Sequence, residues 1–126
     1  MKTLIPEKLL EVLKHEGVVA IAMLDDNGIH MVNTWNSYLK VTTGGKIIGP
    51  AGGMRTTEAI VRKNNKIVMT LGSREVQGFH SKGTGFLIHG TLAFISEGDE
   101  YNELKQRFPW ARAMFEIQPD TITQTL

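Results

Sequence analysis

The sequence contains no cysteine. Disulfides, thiolate–metal sites and thiol redox chemistry carried by the polypeptide are therefore excluded, and any electron chemistry would belong to a bound cofactor. There is also no apolar run approaching the ~20 residues of a membrane-spanning helix. Residues 1–17 form a charged amphipathic segment without the apolar centre of a secretion signal, so the expectation is a soluble, cytoplasmic protein. Charge of one sign is lacking too: 14 Lys+Arg against 13 Asp+Glu leave a net charge of +1. No basic field for nucleic acid and no acidic tail result, which leaves a small molecule or another protein as the expected partner. Repeats, linkers and low-complexity segments are absent, and 126 residues suit one domain, residues 1–126, able to bury about two-thirds of its unfolded surface.

What is present is a succession of short strands. Pro6-Glu7 suits a helix start, Leu9, Leu10 and Leu13 recur at helical spacing, and Gly17 is placed as the stop. Residues 18–24 form a continuous apolar strand signal, and Asp25-Asp26-Asn27-Gly28 is a hairpin turn. A long strand over 29–41 follows, interrupted by Asn33, Thr34, Asn36 and Ser37, and asparagine disfavours strands. Strands are predicted over 46–51, 66–73, 85–96 and 110–118, with helices over 57–63 and 99–108. Residues 74–82 read as a polar, mobile loop. Six strands joined by tight turns and flanked by short helices predict a mainly β, antiparallel barrel.

Two stretches carry candidate chemistry. Gly49-Pro50-Ala51-Gly52-Gly53-Met54-Arg55-Thr56-Thr57-Glu58 leads from a strand into a helix. Its paired glycines admit close approach of a ligand, and the free N–H groups of a helix start favour an anion. Arg55 can add bidentate phosphate contacts, and Thr56 and Thr57 can donate hydroxyl hydrogen bonds or cap the helix. An ordinary strand-to-helix turn has the same spacing. The second stretch, Asn33-Thr34-Trp35-Asn36-Ser37, offers amide donors and acceptors that match the edge of a flavin or pyrimidine-like ring. Trp35 can supply an aromatic face. The other reading is an edge strand with wet polar residues and a core tryptophan.

No catalytic residue is singled out. His15, His30, His80 and His89 lack metal-ligand spacing. Ser73 and Ser81 have no nucleophile context, and Gly83-Thr84-Gly85 is not a dinucleotide fingerprint.

A set of longer motifs adds more. EGVVAIA (16–22), VNTWNSYLKV (32–41), GGM (52–54), MTLGSR (69–74), GTGFLI (83–88), WARA (110–113) and QTL (124–126) run nearly end to end. In this order they closely resemble the pyridoxamine-phosphate-oxidase-like, FMN-binding split-barrel family. The resemblance implies a split barrel that binds flavin mononucleotide (FMN). Asn33, Thr34 and Trp35 would line the flavin, and Pro50, Ala51, Gly52 and Gly53 would present backbone to it. Thr56 and Thr57 would hold the phosphate, and Leu71, Gly72 and Ser73 would lie on the neighbouring strand. The family forms homodimers with flavin near the interface, so Trp110 and Leu126 would reach the partner's FMN. Thr56 stands where the family pattern leads one to expect a lysine, with Arg55 as the natural substitute. The tail ending Thr123-Gln124-Thr125-Leu126 lacks the basic end of true pyridoxamine-phosphate oxidases, which disfavours that reaction. The function so implied is electron transfer to an unidentified redox partner protein. The alternatives are an FMN-dependent NAD(P)H oxidoreductase, with residues 74–82 greeting its substrate, and a flavin-storage module.

Overall fold

The structure is a computed structural model that describes residues 4–126. In chain order it contains α1 (Glu7–Val12), β1 (Val18–Asp25), β2 (Gly28–Trp35), a 3-10 turn at Asn36–Tyr38, β3 (Lys40–Val41) and β4 (Ile47–Ala51). Then follow α2 (Arg55–Lys63), β5 (Lys66–Gln77), β6 (Lys82–Ile95), α3 (Asp99–Arg107) and β7 (Ala113–Gln124). Residues 1–3 of the amphipathic segment lie outside the described residues.

All seven strands form one antiparallel sheet in the order β2-β1-β5-β6-β7-β4-β3. The two edge strands, β2 and β3, are nonetheless consecutive, with Trp35 and Lys40 separated by the 3-10 turn and Leu39. Five residue steps span at most about 18 Å, so the sheet must roll until its edges nearly meet. That makes a barrel split along one seam, as the sequence implied.

The barrel is filled by alternating inward residues: Val19, Ile21 and Met23 from β1, Ile67, Met69 and Leu71 from β5, and Phe115 and Ile117 from β7 are buried. Leu9 and Val12 of α1 and Ile60 and Val61 of α2 close the same core. A second cluster, Ile48, Leu104, Phe108, Ala111 and Met114, lies beneath α3. Among the described residues no helix is long and apolar enough to cross a membrane.

Several sequence expectations need correction. The strand predicted over 29–41 breaks at Asn36, whose buried side chain has to face backbone carbonyls of α1 and β5 rather than continue a ladder. The break yields a seventh strand, β3. The loop predicted over 74–82 is mostly strand, because β5 runs to Gln77 and β6 begins at Lys82. Val76 points inward and is buried, so burial overrides the polar composition around it. The last strand runs over Ala113–Gln124, later than predicted, and absorbs Pro119 at a register shift opposite His89 and Gly90.

Gly17 does not stop α1. The helix ends at Val12 with Leu13 as its C-cap. A Cβ at Gly17 would fall 2.8 Å from Asn36 Nδ2 and 2.9 Å from the Gly72 carbonyl, so space sets this glycine. Helix α2 starts two residues earlier than predicted, and neither Thr56 nor Thr57 caps it. The N-cap is Met54, in the left-handed conformation (φ 60°, ψ 29°) and without a side-chain cap bond.

Candidate functional site

The turn from β4 into α2 is anchored from behind. All five residues of β4 are buried, including Pro50 and Ala51, and the strand pairs with β7 from Ile47↔Ile117 to Ala51↔Ala113. At Gly52 an added Cβ would meet the Trp110 ring at 3.0 and 3.2 Å, so glycine lets that indole lie on the backbone. At Gly53 an added Cβ would meet nothing within 4 Å. Gly53 therefore fronts open ground, directly before the N-terminus of a nine-residue helix. Unpaired N–H groups of a first helical turn make such ground suited to an anion.

The side chains around this turn divide by direction. Arg55 and Thr56 are exposed, whereas Thr57 is buried with its Oγ1 3.1 Å from His30 Nε2. Thr56 borders a depression of about 360 Å³ that also meets Asp25, Asp26 and Lys63, charges of both signs. Arg112, one residue before β7, reaches the turn three times. Its backbone N–H donates to the Ala51 carbonyl (2.9 Å), its Nε to the Gly53 carbonyl (3.0 Å), and its Nη1 pairs with Glu58 Oε1 (2.7 Å). Arg62 Nη2 takes the other Glu58 oxygen at 2.9 Å. The Arg112 hydrogen bond, with the charges of Arg112 and Arg62 in support, holds the Glu58 carboxyl below its ordinary pKa.

A second cleft, about 290 Å³, lies where β5 and β6 meet the C-terminus and is bordered by Glu16, Gly72, Ser73, Arg74, Thr84 and Leu126. Gly72 admits the close passage of β6, since a Cβ there would stand 2.6 Å from the Thr84 carbonyl. Thr84 Oγ1 and Gln124 Nε2 both donate to the Leu126 backbone carbonyl (2.9 and 2.8 Å), fixing the chain end while the Leu126 side chain stays exposed. Ser37 Oγ donates to Glu16 Oε2 at 2.7 Å, which lowers the Glu16 pKa. Leu71 faces the barrel core and does not border this cleft.

At the end of β2, Asn33 Nδ2 donates to the Val19 carbonyl (3.1 Å), Thr34 is buried and Trp35 is 44% exposed. Trp35 is thus not the core residue that one reading allowed. Trp110 is half exposed and packs tilted against Tyr38 and edge-on against Phe108, ring centroids 5.6 Å away in each case.

The candidates fall into three groups. Gly52, Gly53, Arg55, Thr56, Thr57 and Trp110 surround the helix start; Gly72, Ser73 and Leu126 share the second cleft; Asn33, Thr34 and Trp35 sit on the edge strand. His30, on that same strand, ties it to α2. Sequence reasoning missed Arg112 and His30 as parts of this region and gave Glu58, at the end of the candidate stretch, no role. Their partners are distant in sequence, and the only local signal is a lone arginine in WARA. Among the described residues no group of three or more metal-ligand side chains is placed to hold an ion.

A rolled, split antiparallel barrel with a glycine turn opening onto a helix start defines a class of small ligand-binding barrels. A family model described as pyridoxamine 5'-phosphate oxidase matches residues 5–125, and the chain belongs to that family. It is 51% identical over 123 residues to the FMN-binding protein of Nitratidesulfovibrio vulgaris, covering 98% of this chain and 100% of that one. Among solved structures it is similar to HupZ of Group A Streptococcus (TM-score 0.76, 17% identity, 95% of this chain and 93% of the other). It is also similar to an FMN-binding protein of Syntrophomonas wolfei (TM-score 0.71, 18% identity, 95% and 85%). These two structural likenesses concern the fold.

Proposed function

We propose that the protein binds FMN at the β4–α2 turn and serves as a small electron carrier. The observation that carries this reading is the open ground at Gly53 in front of α2. A phosphate fits there, against backbone N–H groups, with Arg55, Thr56 and Thr57 on the first helical turn. The end-to-end relationship to a protein named for FMN binding supports it. In this reading Pro50, Ala51, Gly52 and Gly53 present backbone to the flavin, Asn33, Thr34 and Trp35 line its ring, and Leu71, Gly72 and Ser73 border it from β5. Arg55 supplies the cation that a lysine at position 56 would give in the family pattern. FMN when bound supplies the electron chemistry, so the chain itself needs no general acid, base or thiol.

The three groups of candidates do not enclose one pocket within a chain, which favours a site completed by a second copy. An apolar face supports such a homodimer. Along the β1–β2 hairpin, Val18 lies opposite Trp35, Ala22 opposite Met31, and Leu24 opposite Ile29. Of these, Val18, Leu24, Ile29, Met31 and Trp35 are exposed, and an apolar patch of this extent favours burial against another surface. In a dimer joined there, Trp110 and Leu126 would be the residues to approach the partner's flavin.

The visible spectrum of purified protein, followed by release and identification of the chromophore, tests FMN binding. A colourless protein that takes up no FMN refutes it. Spectroelectrochemistry tests the carrier role: reversible reduction is expected, and a bound flavin that cannot be reduced and reoxidised refutes it. Saturable NAD(P)H oxidation by holoprotein would replace the carrier by an enzyme.

A further inference from the structure

We infer that Arg112 is a positioning residue for the phosphate end of the flavin, acting through the backbone of the β4–α2 turn; this rests on the FMN reading above. In a trans peptide the carbonyl and the following N–H point in opposite directions, and the described chain has no cis bond. Arg112 takes two carbonyls of the turn, Ala51 O with its backbone N–H and Gly53 O with Nε. The carbonyls of the Ala51–Gly52 and Gly53–Met54 peptides are thereby both committed to Arg112. Their N–H groups, those of Gly52 and Met54, point away from Arg112. Without the guanidinium, the Gly53 carbonyl would be free to swing, and a carbonyl oxygen facing a phosphate repels it.

The same side chain fixes the turn to the helix. Nη1 pairs with Glu58 on the first turn of α2, and Arg62 braces the far side of that carboxylate. Between these anchors sits Met54, a non-glycine residue in the left-handed region. Such a conformation persists only where its surroundings over-determine it, and the Arg112 contacts on either side do so. One more feature sets this arginine apart. Its side chain is only 21% exposed, and Nη2 is buried with no hydrogen-bond partner among the described residues, although the Phe94 ring lies 5.9 Å from Cζ. A buried donor left over is unfavourable for stability. The guanidinium is held where the turn needs it, not where all its own protons are satisfied.

Riboflavin, which lacks the phosphate, separates this role from a general loss of structure. Apoprotein reconstituted with FMN or riboflavin is titrated by flavin fluorescence, for wild type, Arg112→Gln and the control Lys46→Gln. The control removes the Lys46–Glu116 ion pair (3.1 Å) at the other end of β4. For Arg112→Gln the FMN Kd is expected to rise about tenfold or more, equal to ~1.4 kcal/mol, with riboflavin and the control changing by less than about twofold. If Arg112→Gln does not fold, Arg112→Lys is read in the same way, since it keeps the charge facing Glu58 but loses the second donor that holds Gly53. An unchanged FMN Kd, an equal loss of both flavins, or an equal loss in the control overturns the inference. If wild type itself takes up neither flavin, the FMN reading falls as well.

Discussion

Replacing Asn36 should damage this fold more than any hydrophobic pattern would suggest. Its side chain is fully buried, and Nδ2 faces three carbonyl oxygens: His15 and Gly72 at 3.0 Å and Val12 at 3.4 Å. An amide NH₂ has two protons, so two good bonds are the most it can make at once. With each worth about 1 kcal/mol net and the void left by truncation adding ~1 kcal/mol, Asn36→Ala should lose about 3 kcal/mol. In a domain of this size that corresponds to a fall in Tm of about 12 °C. Asn36→Asp has the same shape but turns a carboxylate toward the same carbonyls, so at neutral pH it should be less stable than the alanine variant. Burial and the facing oxygens raise the folded-state pKa of that aspartate above its unfolded value. Its protonated form then contributes stability below the unfolded pKa, about 4, and that contribution disappears as pH rises through the folded pKa. Urea unfolding followed by circular dichroism at pH 7 and pH 4 measures all of this. An alanine variant within about 1 kcal/mol of wild type, or an aspartate variant at least as stable as alanine at pH 7, would refute the reasoning.

Other outcomes follow from the same contacts. Gly53→Asp should fold, because nothing lies within 4 Å of the new Cβ, yet abolish FMN binding by setting a carboxylate against the phosphate; retained affinity in a flavin titration would remove the cradle from that turn. Glu58 has a depressed folded-state pKa, so its contribution is present above the unfolded pKa and is lost as pH falls through the folded one. The stability difference between wild type and Glu58→Gln should therefore shrink on acidification from pH 7, and chemical denaturation across that range would detect a difference that instead grows. Ile29→Lys, at a position 73% exposed on the apolar hairpin face, should leave the unfolding free energy of the monomer within about 0.5 kcal/mol of wild type while sedimentation velocity reports monomer in place of dimer. A variant that still sediments as a dimer would move the interface elsewhere.

Local signals served the sequence reading well. The Asp25–Gly28 turn and the apolar run of β1 reflect interactions between near neighbours, and both formed close to where they were expected, while α2 formed two residues ahead of its predicted start. Three of the corrected features share one cause. Asn36, Val76 and Gly17 take their conformations from residues far away in sequence: Asn36 from carbonyls of His15 and Gly72, Val76 from the barrel core, Gly17 from the side chain of Asn36 itself. Polar composition around 74–82 correctly marked solvent exposure but not the loss of strand. The glycine turn and helix start were visible as a candidate cradle. What orients that cradle was not, since Arg112 approaches from 59 positions beyond Gly53, and no spacing rule reports such a contact.

The pairing of β4 with β7 bears on how the protein is made. During synthesis Ile47–Ala51 emerges long before the strand that covers it, and β3, its other neighbour, is only two residues long. A growing chain therefore carries five apolar residues with an unsatisfied edge until the C-terminal strand is complete, the kind of surface that nascent chains conceal with chaperones. Arg112 arrives at the same late moment. A nascent fragment ending before Arg112 would hold the glycine turn without the two carbonyl contacts that Arg112 makes to it.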